Sequence, residues 1–292
     1  MEQKNIADIL IEALPNIRRL SGRTIVIKYG GHAMVDRQLK EDFAKDITLM
    51  KYIGLKPVVV HGGGPQINLV LEKMGIHSRF VRGMRVTDEQ TMDVVEMVLG
   101  GKVNKSIVGQ INQAGGKAIG LCGKDGGLIL AEKLHITFQE DESKPPEIVD
   151  AGLVGQVVKI NTDIIHTLTG HDFIPVIAPV GVGDSGETYN INADLVASEI
   201  AMALSAGRLI YLTDVDGVLD SSGALISAIG SETIHKMVED KTISGGMIPK
   251  IEYALKALNN GVEKVHIING TQRHALLQEL FTEKGIGTEV TV

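Results

Sequence analysis

The chain has 292 residues, enough for one large α/β domain or two modest ones, each with a buried core. Its 29 Lys and Arg against 36 Asp and Glu give a formal charge of -7, which argues against nucleic acid as a main partner, because phosphate backbones select basic surfaces. A hydrophobic content of 43 % with 22 % charged residues is ordinary for a soluble globular protein, and no apolar stretch approaches the ~20 residues of a membrane span.

The single cysteine, Cys122, excludes an intramolecular disulfide and reads as a small core residue. Without an apolar leader, a cytoplasmic protein is expected. Ile6, Ile9, Leu10, Ala13, Leu14 and Ile17 recur at helical spacing and predict an amphipathic helix over residues 1–20, bent at Pro15. Glu2, Asp8 and Glu12 oppose a mitochondrial transit peptide. The pattern alone favours a helix packed on its own domain over an arm that binds another subunit.

Strands are expected at 25–28 and 57–61 with a helix at about 38–52 between them, a βαβ unit. Thr87 and Gln90 have capping-box spacing ahead of a long helical stretch through Met92, Val95, Met97 and Val98. Further strands are expected at 118–122, 174–179, 209–213 and 265–268. Between them, 128–131 and 148–160 read as short strands and hairpins around a polar loop at 139–146. Helices follow at 192–204 and 250–258, the second with Pro249 near its first turn. Strands alternating with helices indicate a largely parallel sheet covered on both faces. A soft division gives residues 1–22 as the N-terminal helix, 23–180 as one ligand-binding lobe and 181–292 as another.

Three glycine clusters stand near lysines or strand ends. Lys28 precedes Gly30 and Gly31; Gly62, Gly63, Gly64 and Pro65 follow a strand; Gly245 and Gly246 precede Lys250. Bare amides and ammonium groups suit a polyphosphate, since glycine admits the oxygens to the backbone and lysine neutralises them. A tight turn alone needs one glycine rather than three. Asn190, Asn192 and Asp194 cluster at a helix start, where N-capping explains one of the three. Asp214 and Asp216 follow a strand and suit a ribose or adenine, unless they only form an Asp-Gly turn. Arg85 suits a bidentate grip on a carboxylate, although an arginine in a hairpin is usually solvated.

Gly181, Gly183 and Gly186 match the dinucleotide fingerprint GxGxxG, but no helix opens at Gly186, so a hairpin is expected instead. GxxxxGK[ST], HRD, DFG and GxSxG are absent. The nine histidines fall singly, without HExxH or Cys/His metal spacing, so no metal site is expected and His61 reads as structural.

From residue 25 to about 290 these segments together resemble the amino acid kinase family. The segments are Ile27-Lys28-Tyr29-Gly30-Gly31, Val60-His61-Gly62-Gly63-Gly64-Pro65, Gly83-Met84-Arg85-Val86-Thr87, Tyr189-Asn190-Ile191-Asn192-Ala193-Asp194, Leu212-Thr213-Asp214-Val215-Asp216-Gly217-Val218 and Gly245-Gly246-Met247-Ile248-Pro249-Lys250. The Arg85 and Asn190 segments point to the branch that phosphorylates N-acetyl-L-glutamate.

The resemblance implies an αβα kinase fold and transfer of a phosphoryl group from ATP, with Mg2+, to the side-chain carboxylate of that substrate in arginine biosynthesis. Lys28 and Lys250 would stabilise the transferring group, Asp194 would hold both ammonium groups, and Gly30 and Gly31 would donate amides. Gly63, Gly64, Arg85 and Asn190 would clamp acetylglutamate. Asp214, Val215, Asp216, Gly217, Val218 and Leu219, with Thr242, Ile243 and Ser244, would form the nucleotide site.

The N-terminal helix resembles that of the arginine-inhibited hexamers, trimers of dimers in which such helices interlace. It implies an L-arginine site at His266, Glu279, Gly285 and Gly287, and leaves a nitrogen-signalling PII protein open as a partner. Asn16 departs from the aromatic residue usual after Leu-Pro in that branch. The rivals are an aspartate or glutamate kinase, a noncatalytic arginine sensor, and a dehydrogenase binding NAD through 181–186.

Overall fold

The computed structural model describes residues 6–81, 83–138 and 147–292; the expected polar loop at 139–146 and residues 1–5 lie outside these. An eight-stranded sheet runs in the order Ala228–Gly230, Thr288–Thr291, Val265–Asn269, Arg208–Thr213, Thr24–Tyr29, Lys56–His61, Ile174–Ala178, Ala118–Cys122. All neighbours pair in parallel except Val265–Asn269 with Thr288–Thr291. Alternate residues of each central strand enter opposite cores. Ile25, Ile27, Val59, Ile210 and Leu212 face one layer, and Val26, Val58, Val60, Leu209 and Tyr211 face the other. Burial on both faces is why these segments read as continuous β-branched runs.

Thr24–Tyr29 has Lys56–His61 on one side and Arg208–Thr213 on the other. The chain leaves it first in one direction and later in the other, so a crevice opens at the carboxyl ends there, where ligands sit in open α/β sheets. One sheet therefore runs through both of the lobes expected from the sequence.

A second sheet, ordered Thr188–Asn190, Val180–Val182, Ile129–Lys133, Gly155–Ile160, flanks that crevice. Its first pair is the hairpin expected around Gly181 to Gly186, closed by Gly183 N to Glu187 O at 2.8 Å. The short strands expected within 148–160 are Glu147–Val149 and Gly155–Ile160, separated where Gly152 takes a positive φ of 73°.

Asp36 caps the helix Arg37–Tyr52 by accepting from Leu39 N at 2.8 Å. The expected capping box is one residue off. Asp88, not Thr87, caps Glu89–Glu96 and accepts from Thr91 N at 2.8 Å, while the Thr87 hydroxyl donates to Arg85 O at 2.8 Å. The helix continues through a π-helical turn, Met97–Val103, into Asn104–Gln113.

The N-terminal helix spans Ile6–Leu20 with Pro15 inside it. It does not bury its apolar face on its own domain: Leu10 and Ile11 are 61 % and 67 % exposed, and Leu20 at its end is buried.

Candidate active site

Strand Thr24–Tyr29 carries Lys28 as its penultimate residue, helix Ala193–Ala203 has Asp194 in its first turn, and helix Met247–Asn259 carries Lys250. The fold brings these three together. Asp194 Oδ2 accepts from Lys250 Nζ at 2.5 Å, and Oδ1 stands 3.0 Å from Lys28 Nζ. The Lys28 contact is a charge pair without hydrogen-bond alignment, since Oδ1 is buried and has no hydrogen-bond donor.

Burial alone would raise the Asp194 pKa; the fields of Lys28 and Lys250 overcome it and hold the carboxylate below its ordinary range. Burial lowers Lys250, and the Lys28 charge adds to that against the opposing pull of Asp194. Two ammonium groups thus share one carboxylate, so these three side chains carry a net positive charge, which the Asp214 carboxylate partly offsets at Lys250. The Lys250 ammonium also lies 5.4 Å from the Tyr211 ring centroid, and the Tyr211 hydroxyl donates to Asp194 O at 3.3 Å. Asn192 is the cap among the three clustered residues, accepting from Asp194 N and Leu195 N at 2.8 and 3.3 Å.

Gly30 and Gly31 open the turn beside Lys28. A β-carbon on Gly30 would stand 2.7 Å from the Lys28 ammonium, and one on Gly31 2.3 Å from Asp214 Oδ1; Gly31 also needs its positive φ of 69°. Asp214 closes this turn by accepting from His32 N at 2.6 Å, which ties the Asp214–Leu219 loop to the Lys28 turn.

Gly63 caps helix Gly64–Lys73, with Pro65 in its first turn. A β-carbon on Gly63 would lie 2.5 Å from Leu99 Cδ2, so a side chain there would have to displace the end of Leu99. His61 is fully buried and pushed down to about 4 by burial, so it is neutral. Its Nδ1 donates to Gly62 O at 2.8 Å, and Nε2 accepts from Asn104 Nδ2 at 3.2 Å.

Gly63, Gly64, Arg85, Asn190, Phe80 and Leu99 line a cavity of about 190 Å³. Arg85 is buried, donates to Gly64 O at 3.3 Å and to Ser78 Oγ, and lies 4.7 Å from the Phe80 ring centroid. Burial lowers its pKa. Asn190 Nδ2 donates to Thr87 Oγ1 at 3.2 Å.

Ser78 and Phe80 escaped the sequence reading. Phe80 pairs with Arg85 across a two-stranded hairpin, so the alternation around Gly83 was the signal for it.

Among the nucleotide candidates, Val218 N donates to Thr288 Oγ1 at 2.8 Å, and a β-carbon on Gly217 would lie 2.5 Å from that oxygen. Val215 and Leu219 are exposed. Asp216 Oδ1 accepts from Asn269 Nδ2 at 2.7 Å. Thr242, Ile243 and Ser244 lie between helices Ser231–Glu239 and Met247–Asn259, with Ile243 buried. The described residues hold no group of three His, Cys, Asp or Glu side chains that could bind a metal ion.

The remaining candidates meet elsewhere. Glu279 Oε1 accepts from His266 Nδ1 at 2.6 Å, and its Oε2 accepts from Ile286 N and Gly287 N at 2.7 and 3.1 Å. A β-carbon on Gly285 would stand 2.7 Å from Glu279 Oε2. Burial would raise the Glu279 pKa, but the His266 hydrogen bond and the amides bring it below the ordinary value. Beside them is a cavity of about 190 Å³ with Arg19, Arg208, Lys264 and Glu283 on its walls. Asn16 Oδ1 accepts from that Arg19 at 2.9 Å.

Residues 23–269 match the amino acid kinase family. The acetylglutamate kinase of Syntrophus aciditrophicus (strain SB) is 60 % identical over 286 residues, 98 % of this chain and 97 % of its own. N-acetylglutamate synthase from Neisseria gonorrhoeae, complexed with coenzyme A and N-acetyl-glutamate, superposes with a TM-score of 0.86 at 25 % identity. That match covers 99 % of this chain, which spans 64 % of the synthase. Carbamate kinase from Giardia lamblia bound to AMP-PNP shares the fold, with a TM-score of 0.64 at 18 % identity over 92 % of this chain and 98 % of that one. A match over residues 23–269 and a relative aligned nearly end to end leave no doubt about kinship: the chain belongs to the amino acid kinase family.

Proposed function

We propose that this chain transfers the γ-phosphoryl group of ATP to the side-chain carboxylate of N-acetyl-L-glutamate, giving N-acetyl-L-glutamyl phosphate for arginine biosynthesis. The observation that carries this reading is the pair of ammonium groups of Lys28 and Lys250 on the single carboxylate of Asp194. The acceptor carboxyl, with a pKa of about 4.3, is already ionised at neutral pH, so the reaction needs no general base. Its oxygen bonds the γ-phosphorus as the bridge to the β-phosphate breaks, and the bond pair leaves on ADP. The obstacle is repulsion between anions, which positioning and positive charge overcome.

In this reading the Lys28 and Lys250 ammonium groups and the Gly30 and Gly31 amides receive the charge that builds on the phosphoryl oxygens. Arg85 and Asn190 grip acetylglutamate against Gly63 and Gly64. The 214–219 loop and 242–244 take the nucleotide, so that residues 23–180 and 181–292 divide the work within one sheet.

Magnesium enters as the counter-ion of ATP. Asp194 is spent on two lysines, and one oxygen each of Asp214 and Asp216 accepts from His32 N and Asn269, so the cation's ligands would be phosphate oxygens and water. An ADP-release assay tests the reading: N-acetylglutamate turns over, and glutamate and aspartate do not. Equal turnover of aspartate or glutamate would make this another acyl-phosphate kinase.

L-Arginine as a feedback inhibitor is the second part of the reading. The cavity beside His266 and Glu279 mixes carboxylates for a guanidinium with Arg19, Arg208 and Lys264 for a carboxylate. Arg19 belongs to the N-terminal helix, whose exposed apolar side chains suit packing between dimers of a hexamer. A PII protein remains a candidate partner, and the cytoplasm the expected place of action. Activity unchanged at millimolar L-arginine would remove the inhibitor from this account.

A further inference from the structure

Helix Arg37–Tyr52 turns two buried carboxylates, Asp42 and Asp46, toward the loop that follows strand Val265–Asn269. They stand four residues apart, on one face of the helix. Arg273 grips Asp42 with two donors, Nε to Oδ2 at 2.7 Å and a terminal nitrogen to Oδ1 at 3.2 Å. Gln38 adds a donor to Oδ1 at 3.0 Å. His274 Nδ1 lies 2.6 Å from Asp46 Oδ1, and its Nε2 lies 3.7 Å from Asp42 Oδ1; the Leu276 amide also donates to Asp46.

His274 takes a left-handed φ of 54°, a conformation a β-carbon disfavours and that persists only where its surroundings impose it. In this conformation its ring meets the Asp46 carboxylate. Burial pushes Asp46 up to about 6, whereas the Arg273 hydrogen bond, against opposing burial, holds Asp42 down at about 2. Keeping two carboxylates under cover four residues apart costs stability that apolar residues would not cost. Packing alone does not explain them.

The loop they hold leads to Asp216. Asn269 and Gln272 donate to Asp216 Oδ1 at 2.7 and 3.3 Å. Asn269 is itself oriented by the amide and hydroxyl of Thr271, at 2.9 and 2.6 Å from its Oδ1. Between them a β-carbon on Gly270 would lie 3.3 Å from Ala33 Cβ, in the turn that follows Gly30 and Gly31. One short loop thus touches both the Asp214–Leu219 segment and the turn beside Lys28.

We propose that Asp42 and Asp46 are positioning residues of the nucleotide site, acting through Arg273 and His274 on the loop that holds Asp216. The proposal rests on the reading of 214–219 as that site. Its function is to fix one wall of the nucleotide pocket against the helix that follows the catalytic turn. The charged side chains facing each other across it are Asp42, Asp46, Arg273 and His274.

Steady-state kinetics of the full-length protein test this, with Asp42→Asn, Asp46→Asn, Arg273→Gln and the double variant Asp42→Asn with Arg273→Gln. Each single change raises the KM for MgATP about tenfold, the effect of a lost hydrogen bond to a charged group, while the KM for N-acetylglutamate stays within about twofold. The double variant is no worse than the worse single one, because both remove one contact. Arg273→Lys recovers part of the loss. Should Asp46→Asn melt below the assay temperature, His274→Gln decides on the same readout.

Asp216→Asn separates the two readings. If it raises the KM for MgATP and the clamp variants do not, the clamp proposal is wrong and the nucleotide site stands. If Asp216→Asn leaves that KM unchanged, the nucleotide reading fails and takes the clamp with it. A lowered melting temperature with both KM values unchanged assigns the clamp to stability and overturns the proposal.

Discussion

Two charged clusters lie against opposite faces of the sheet and are built on opposite principles. At Lys28, Asp194 and Lys250 the side chains are between 9 % and 15 % exposed and the charges do not cancel, so surplus positive charge remains. At Asp42, Asp46, Arg273 and His274 the carboxylates are buried and equal or exceed their cationic partners, and every carboxylate has a donor. An unbalanced cluster keeps attraction in reserve for an incoming anion. A satisfied one spends its attraction on the protein itself.

The largest effect should come from the surplus. Lys28→Ala and Lys250→Ala are each expected to lower kcat by about a hundredfold to a thousandfold with little change in substrate KM, the usual loss on removing one preorganised donor. A change confined to KM would move that lysine from the transition state to ground-state binding. Next, Asp194→Asn leaves two buried ammonium groups unpaired and is expected to cost about 3–5 kcal/mol of stability along with activity. Chemical denaturation reads this, and an unchanged unfolding midpoint would contradict the burial argument.

Much of this contrast was legible from the residues, and the limit is physical. Lys28, Asp194 and Lys250 sit beside glycines or caps, which mark backbone exposed to a ligand, so local chemistry announced them. The strands around Val26, Val58 and Leu209 were equally plain, because burial on both faces leaves an uninterrupted apolar run. Asp42 and Asp46 carry no such mark: on an amphipathic helix two acids read as a solvated face, and only the packing of Arg273 and His274 over them reveals burial. The edge strand Ala228–Gly230 and its neighbour Thr288–Thr291 were missed for a similar reason, being short and dependent on neighbours for their pairing. The capping residue slipped from Asp88 to Thr87 because both types suit the position and only geometry chooses.

Arg85→Gln sharpens the comparison at the substrate end. Losing a charged hydrogen-bond donor worth about 1.5–3 kcal/mol should raise the KM for N-acetylglutamate roughly tenfold to a hundredfold and leave that for ATP near its original value. Equal changes in both would mean that the Gly64 loop had collapsed rather than lost its grip.

The smallest effect concerns pH. Asp42 has its pKa lowered to about 2, so its contribution is present above the ordinary value and is lost as pH falls toward about 2. Asp46 has its pKa raised to about 6, so its contribution is full below the ordinary carboxylate range and fades as pH rises through about 6. The melting temperature of the protein relative to Asp46→Asn should therefore rise as pH falls from about 6 to about 4. A constant difference over that window would mean that Asp46 titrates normally.

The acceptor itself can be caught. In ATP, magnesium and hydroxylamine, an acyl phosphate is trapped as a hydroxamate, and the account predicts hydroxamate from N-acetylglutamate in step with ADP, collapsing together in Lys250→Ala. ADP formed without hydroxamate, or hydroxamate undiminished in Lys250→Ala, would contradict it.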